Sequence, residues 1–294
     1  MPANVERGPS NTAEEVALIR IVESKKPESE RICYDPLAIR FIGPETLKLL
    51  QNPEKAQEMK KEKDVVFRGV ANSIAARVRY FDDFVAESLN DGFKQLVILG
   101  AGYDTRAYRM EGIEKVKVFE VDHPNTQPVK IMKIKEIFGS LPDNVEYASV
   151  DLENESLGQN LLDKGYDLSK KTLFLMEGLT MYISPETVDD ILSFIVTNSK
   201  SGSTVVFDYA SRIANLNEHK DQKTVKNLAK FMDKSKESMK FSLEEGKIEK
   251  FLSKRGFSDI KNMTSEDYKK AYFHGKNKDR EVFSLMSFVS AVVE

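Results

Sequence analysis

Two glycines follow a continuously apolar run in the first half of the sequence. Gly100 and Gly102, with Ala101 between them, come directly after the apolar residues 96–99, a pattern typical of a buried strand that ends in a tight turn. A dinucleotide-binding turn would carry a third glycine where Thr105 stands, and the Gly-Lys-Ser/Thr of a phosphate-binding loop is absent. The short form favours a nucleoside ligand without a pyrophosphate, although an ordinary glycine bend would have the same residues.

Asp122 closes the next apolar run. It lies about 20 residues after the glycines, the spacing at which a carboxylate accepts hydrogen bonds from ribose hydroxyls. We expect Glu120 to point to the opposite face of the same strand. We therefore expect one of these carboxylates to hold a ribose while the other orients backbone or is a solvated charge.

Two later apolar runs also end in carboxylates. Asp151 could accept a hydrogen bond from an adenine amine while Leu152 packs on the ring, and Glu177 would lie under the centre of the cleft, near a ligand ammonium group. Arg77 and Arg79 precede the strands on a long predicted helix. An arginine that reaches the cleft can bind a ligand carboxylate in a bidentate manner, whereas one on the outer helix face is simply solvated.

No residue is assigned as a catalytic base from the sequence. Tyr182, Tyr209 and Arg212 follow the fourth and fifth apolar runs, within reach of an acceptor molecule, but packing or surface roles explain them as well. A hydroxyl acceptor would benefit from a base, whereas a carboxylate acceptor is already ionised at neutral pH and needs none.

The elements that must position these residues alternate between strands and helices. Helices are expected up to residue 90, including a long helix over 65–90. Alternating strands and helices predict right-handed βαβ units and a mostly parallel sheet. The last run follows a weak strand at 257–263 with only a loop between them, which predicts an antiparallel end to the sheet. The strand-like runs are 96–99, 116–119, 145–148, 172–176, 204–207 and 283–293.

We expect one domain over 1–294, in which residues 1–90 form a helical lid region and 91–294 form the core. A polar, lysine-rich segment at 215–242 follows the fifth strand and is predicted to form a cap, an insertion of about 212–245. Both the N-terminal helices and the cap would close over the cleft and exclude water from it.

Composition excludes several classes of protein. The 294 residues carry a formal net charge of −3, so nothing draws the chain to nucleic acid or to an anionic membrane. A single cysteine, Cys33, and three distant histidines provide no metal site. No apolar run approaches the roughly 18 residues of a membrane helix, and no signal peptide is evident, so we expect a cytoplasmic protein.

Together the motifs resemble the leucine carboxyl methyltransferase superfamily, especially its bacterial and archaeal branch of S-adenosylmethionine-dependent methyltransferases, which includes polyketide O-methyltransferases. The long block around the glycines is the most specific of them. In order they are DPLA at 35–38, RVRYFDD at 77–83, LGAGYDTRAYR at 99–109, FEVDHP at 119–124, DL at 151–152 and EGLTMY at 177–182. His123 and the segment 215–242 depart from the family pattern.

The resemblance implies a Rossmann-like class I methyltransferase fold with seven strands, one of them antiparallel. It implies that S-adenosylmethionine is the cofactor and that the reaction is O-methylation of a carboxylate or hydroxyl on a small molecule. The cofactor-binding residues carried over from the family are Arg77 for the methionine carboxylate, Gly100, Ala101 and Gly102 for the methionine portion, Asp122 for ribose, Asp151 and Leu152 for adenine, and Glu177 near the ammonium.

Three alternatives stay open at this point. The chain could be a binding module that senses the cofactor without catalysis, since Asp122, Asp151 and Glu177 serve binding rather than chemistry. It could methylate the C-terminal carboxyl of a protein, as eukaryotic relatives do. An NAD-dependent oxidoreductase is disfavoured by the missing third glycine.

Overall fold

A computed structural model describes residues 11–212, 217, 219–235 and 239–294. Its centre is a sheet with the strand order β3-β2-β1-β4-β5-β8-β7, in which β8 runs antiparallel to both of its neighbours and the other strands are parallel to one another. The strands are β1 (Gln95–Leu99), β2 (Lys117–Asp122), β3 (Val145–Ser149), β4 (Thr172–Met176), β5 (Thr204–Arg212), β6 (Leu243–Glu244), β7 (Phe257–Met263) and β8 (Met286–Val293).

The predicted sheet of seven strands with one antiparallel strand is confirmed, and the two-residue β6 adds a short parallel pairing at the end of β5. The expectation of a simple loop between the last two long strands is wrong, because a helix over Ser265–Tyr272 lies there. Thr264 and Asp267 form a capping box at its start, and Tyr268 is fully buried. A short polar helix of this kind has too few apolar residues to show a helical period.

Within the described residues 11–90 the regular elements are helices, as predicted, but the long helix begins at Val70 rather than at 65. Gly69 interrupts it with a φ of +77°, and a Cβ there would come within 2.6 Å of the Val282 carbonyl carbon. The helices are α1 (Asn11–Ser24), α2 (Pro44–Gln51), α3 (Pro53–Val66), α4 (Val70–Asn90), α5 (Arg106–Arg109), α6 (Gln127–Phe138), α7 (Leu157–Asp163), α8 (Pro185–Thr197), α9 (Gln222–Ser235), α10 (Ile248–Ser253) and α11 (Ser265–Tyr272).

Helices cover both faces of the sheet, so β1 is buried along its whole length, as its uninterrupted apolar sequence predicts. Val97 and Leu99 pack on the face that carries α7, α8 and α10, while Leu96 and Ile98 pack on the face that carries α4 and α11. No helix in the described ranges is long and apolar enough to cross a membrane.

A third apolar cluster joins the N-terminal helices to the loop that follows β1. Ala17 and Ile21 of α1 pack with Phe41, and the ring of Phe41 lies 5.7 Å from that of Tyr103. The predicted cap falls partly outside the described residues, because 213–216, 218 and 236–238 are not described; α9 is its described helix.

Candidate active site

The glycine turn lies at the carboxyl end of β1 and requires its glycines. Gly100 and Gly102 have φ values of +66° and +40°, a region that other residues rarely adopt. A Cβ on Gly100 would also come within 3.0 Å of Leu179 Cδ1, so the Leu179 side chain would have to shift. The N–H of Ala101 continues the sheet by donating to the Val121 carbonyl at 3.0 Å.

Asp122, at the end of β2, is bound to this turn. One of its carboxylate oxygens accepts a hydrogen bond from the Gly102 N–H, and the other accepts from the His123 N–H at 2.6 Å. Burial raises the pKa of Asp122, and these N–H donors oppose the rise. Each oxygen keeps a lone pair for a ligand hydroxyl.

Glu120 lies on the same face of the sheet as Asp122, because residues two apart in a strand share a face, so the expectation that it points to the opposite face is wrong. Its carboxylate binds the Lys130 ammonium at 2.8 Å, and both side chains are fully buried. Burial raises the pKa of Glu120 to about 7 despite Lys130. Lys130 Nζ also donates to the Ala101 carbonyl at 3.2 Å, and the Tyr108 hydroxyl donates to Glu120 at 2.9 Å. Glu120 therefore acts on the turn through Lys130, whose ammonium reaches the Ala101 carbonyl.

Arg77 of α4 lies between two carboxylates, Glu177 directly after β4 and Asp208 within β5. Its Nε donates to Glu177 at 3.1 Å and its Nη1 donates to Asp208 at 2.8 Å. Asp208 also accepts a hydrogen bond from the Gly178 N–H at 2.6 Å. Gly178 has a φ of +64°, and a Cβ there would come within 3.1 Å of Arg77 Nη2. The guanidinium is therefore fixed from three sides.

Glu177 is also bound by Arg106, whose Nη1 lies 2.6 Å from the second carboxylate oxygen. Burial alone would raise the pKa of Glu177, but Arg106 and Arg77 hold it below its usual value. Burial raises the pKa of Asp208, because Arg77 and the Gly178 N–H offset only part of its desolvation. Of the two carboxylates, Glu177 is therefore the one whose ionised form the arginines stabilise.

These contacts belong to a buried ion network that reaches from α1 to β5. It contains four guanidinium groups and five carboxylates, so it carries one excess negative charge when all five carboxylates are ionised. At its α1 end, Arg20 binds Asp35 at 2.6 Å and the Tyr103 carbonyl at 2.7 Å. Its members are Arg20, Asp35, Arg109, Asp82, Arg106, Asp104, Glu177, Arg77 and Asp208.

A cavity of about 1170 Å³ opens beside the turn, where the strands β1, β2 and β4 end. Six of the eight cofactor-binding residues predicted from the sequence line it, and we call the region that they line the polar half of the cavity. They are Arg77, Gly100, Ala101, Gly102, Asp122 and Glu177.

Asp151 and Leu152 are not among the lining residues. Asp151 accepts hydrogen bonds from the Glu153 N–H at 3.1 Å and from Asn154 Nδ2 at 2.8 Å. It lies 3.8 Å from His123 Nε2, and His123 does line the cavity. Leu152 packs against the apolar core. Of the pair, Asp151 alone is beside a lining residue, His123.

Of the residues considered near the acceptor, Tyr182 and Tyr209 line the cavity. The Tyr209 hydroxyl donates to Asn262 Oδ1 at 3.0 Å, which ties it to β7. Arg212 is exposed, pairs with Glu244 at 3.5 Å and is not a lining residue. Among the described residues, no three side chains come together in a way that could hold a metal ion.

The sequence interpretation missed Asp208 and gave Arg106 no role. Asp208 follows the apolar run 204–207 directly, as Glu177 follows its own run, so the same signal was present. Arg106 was noticed only as part of a motif. Its contacts with Asp82, Asp104 and Glu177 span up to 71 residues of sequence, and spacing does not reveal such partners.

The strand order, the reversed β8 and the glycine turn beside strand-end carboxylates define the Rossmann-like fold of class I methyltransferases. Two solved structures share it. A DUF574 family protein from Streptomyces avermitilis MA-4680 has a TM-score of 0.62 and 14% identity, over 97% of this chain and 98% of that one. A structure titled "putative methyltransferase" from Thermobifida fusca YX has a TM-score of 0.59 and 14% identity, over 83% and 90%. At this identity the likeness shows the fold alone.

The family model described as leucine carboxyl methyltransferase matches residues 13–196, and the chain belongs to that family. A Bacillus subtilis (strain 168) protein named "Putative S-adenosyl-L-methionine-dependent methyltransferase YktD" is 28% identical over 247 residues, 82% of this chain and 81% of the relative. A Mycobacterium avium (strain 104) protein of the same description is 33% identical over 204 residues, 67% and 65%. The predicted class, an S-adenosylmethionine-dependent methyltransferase, is confirmed at the level of the family.

Proposed function

We propose that the polar half of the cavity binds S-adenosylmethionine and that the enzyme transfers its methyl group to a carboxylate or hydroxyl oxygen of a small molecule. The observation that carries this proposal is the convergence of Asp122, Glu177 and Arg77 on one cavity beside the glycine turn. The binding groups come from elements far apart in sequence, and all lie where the parallel strands end.

The residues present have the capacity to hold this cofactor. Asp122 keeps lone pairs for the ribose hydroxyls after binding two N–H groups. Arg77 uses Nε and Nη1 within the protein, so further guanidinium N–H donors are available to the methionine carboxylate. The excess negative charge of the ion network complements an ammonium group beside Glu177.

The adenine assignment is the least direct. Asp151 and Leu152 come from the family resemblance, and its support in this molecule is the position of Asp151 beside His123, at the edge of the cavity. This part of the proposal is therefore tested separately, by an Asp151→Ala variant and the affinity for S-adenosylhomocysteine.

The bound cofactor supplies an electrophilic methyl group on a sulfonium. An ionised acceptor oxygen forms the new O–CH₃ bond while the methyl–sulfur bond breaks, and the bonding pair stays on sulfur. A carboxylate is ionised already, whereas a hydroxyl gives up its proton to solvent or to a base. The contribution of the protein is alignment: rigid contacts at Gly102, Arg77 and Glu177 fix one reactant, so that the attack becomes effectively unimolecular.

The test is a methyl-transfer screen with isotopically labelled cofactor against small carboxylic acids and phenols. Labelled product from either class supports the proposal. Calorimetry runs beside it with S-adenosylhomocysteine and with NADH. Binding of S-adenosylhomocysteine without any methylated product would favour the non-catalytic module, and binding of NADH instead would favour an oxidoreductase. A peptide with a free C-terminal carboxyl is included as the protein-like acceptor.

A further inference from the structure

The cavity continues away from the polar half into a region that the cofactor contacts do not use. There α1, the junction between α3 and α4, α9 and the chain before β8 supply apolar side chains. We call this surface the apolar wall, and the residues that matter here are Ile19, Phe67, Val70, Leu228, Phe231 and Leu285.

Direct contacts hold the apolar wall together. The rings of Phe67 and Phe231 meet edge to face with 5.6 Å between their centroids, and Asn227 Nδ2 donates to the Val66 carbonyl at 2.9 Å. These contacts attach α9 to the end of α3. Gly69 packs against the backbone of residues 282–283, which attaches the chain before β8 to the start of α4. The wall is thus formed by segments that already touch one another.

The cations that border the apolar wall are neutralised within the described part of the chain. Lys63 pairs with Glu15, Arg68 pairs with Glu281, and Arg280 pairs with Glu23 at 2.8 Å. Lys26 and Lys240 likewise bind Glu23 and Glu153, at 2.7 and 2.8 Å. A ligand that extends along this wall therefore meets apolar side chains and closed ion pairs, which favours an uncharged, apolar tail.

The carboxylates near the wall are poor candidates for a base. Glu15, Glu23 and Glu281 are engaged in the ion pairs above, and Arg280 holds the pKa of Glu23 below its usual value against the effect of its burial. Asp64 is exposed at the end of α3. A phenol or alcohol would need such a base, whereas a carboxylate acceptor is ionised already.

On the basis of the proposed function, we propose that the methyl acceptor is a hydrophobic carboxylic acid, an acyl chain whose tail lies along the apolar wall and whose carboxylate meets the methyl group. The product is its methyl ester, and no proton changes place in the transfer. A peptide C-terminus fits less well, because its amide groups would lose their hydrogen bonds to water against this wall.

The first experiment is a chain-length series of saturated fatty acids from butanoate to hexadecanoate, assayed with labelled cofactor. Each buried methylene contributes about 0.8 kcal/mol, so KM should fall about fourfold per added CH₂ until the wall is filled. A KM that does not depend on chain length, or a preference for phenols or for peptide C-termini, would overturn the proposal.

The second experiment uses binding alone, by calorimetry with decanoate in the presence of S-adenosylhomocysteine. Phe231→Glu should weaken decanoate binding at least tenfold and leave S-adenosylhomocysteine affinity unchanged. Leu168→Glu is the matched control, since Leu168 is 46% exposed against 39% for Phe231 but is not a lining residue. Equal effects of the two substitutions would contradict the proposed tail site.

A milder variant covers the case in which Phe231→Glu fails to fold. Leu228→Ala removes buried apolar contact without adding a charge, so it should raise KM for decanoate and leave KM for butanoate unchanged. If the wild-type protein does not bind S-adenosylhomocysteine, the proposed function itself is contradicted. Intact cofactor binding without selective binding of long acids would contradict this inference alone.

Discussion

The polar half and the apolar wall of the cavity are built by opposite means. In the polar half, backbone N–H groups and a buried ion network fix each side chain, as at Asp122 and Arg77. Along the apolar wall, contacts such as that between Phe67 and Phe231 are nondirectional. Directional contacts suit one invariant ligand, whereas apolar packing tolerates a range of shapes. The polar half and the apolar wall should therefore respond independently to substitution.

The largest effect is expected from removing residues 1–25, of which 11–25 belong to the described structure. The deletion takes away Arg20, which binds Asp35 and the Tyr103 carbonyl, together with the buried Ala17 and Ile21. Turnover should be abolished, as the proposed lid role requires. Unchanged activity in the truncated enzyme would reject that role. It would also show that neither the polar half nor the apolar wall needs α1 for turnover.

Arg77→Met should lower the free energy of unfolding by about 3–5 kcal/mol, because it leaves Glu177 and Asp208 buried without their shared partner. Urea unfolding measures the change. Arg79→Met is the control on the same helix, since Arg79 is half exposed and pairs with Asp83 one turn away. Similar losses of unfolding free energy in both variants would show that the buried ion pairs of Arg77 stabilise the protein no more than an exposed pair does.

Asp122→Ala should weaken S-adenosylhomocysteine binding by roughly 1–3 kcal/mol, the scale for losing hydrogen bonds to a charged group. It removes the carboxylate that faces the cavity and also frees the Gly102 N–H. Calorimetry gives the affinity, and decanoate binding should not follow it. Wild-type affinity in this variant would remove the ribose assignment.

Asp208→Asn tests whether a residue outside the cavity positions Arg77. Asparagine keeps an acceptor for the Gly178 N–H but lacks the charge, so S-adenosylhomocysteine should bind about fivefold more weakly. The affinity for 5′-methylthioadenosine, which lacks the amino-acid portion, should stay the same. A loss for both ligands would point to a general structural defect, and Asp83→Asn serves as the neutral control.

The smallest effect on cofactor affinity is expected from Glu120→Gln, because Glu120 does not line the cavity. The substitution should instead change how the free energy of unfolding depends on pH. The pKa of Glu120 is about 7 when folded and near 4.5 when unfolded, so the folded state binds more protons between these values. Stability should therefore fall as pH rises from 4.5 to 7, and the variant should flatten that fall. A fall of the same slope in both proteins would contradict the raised pKa.

Local patterns predicted much of the polar half. The apolar run of β1 and the glycines after it identified the turn, and six of the eight proposed binding residues line the cavity. The pattern did not reveal that α4 starts after Gly69 or that α11 exists, because these depend on close backbone approach and on one buried tyrosine. The apolar wall was not predicted, since its residues come from segments far apart in sequence that only folding brings together.

By itself, the sequence determined the sheet, the turn and the carboxylates at the strand ends, because strand period and glycine conformation are local properties of the chain. Tertiary structure alone decided which charges pair. Arg77 and Asp208 lie 131 residues apart, and only folding brings them to 2.8 Å. Tertiary structure also decided that the cations near the apolar wall are neutralised, which is the physical reason to expect an apolar acceptor tail.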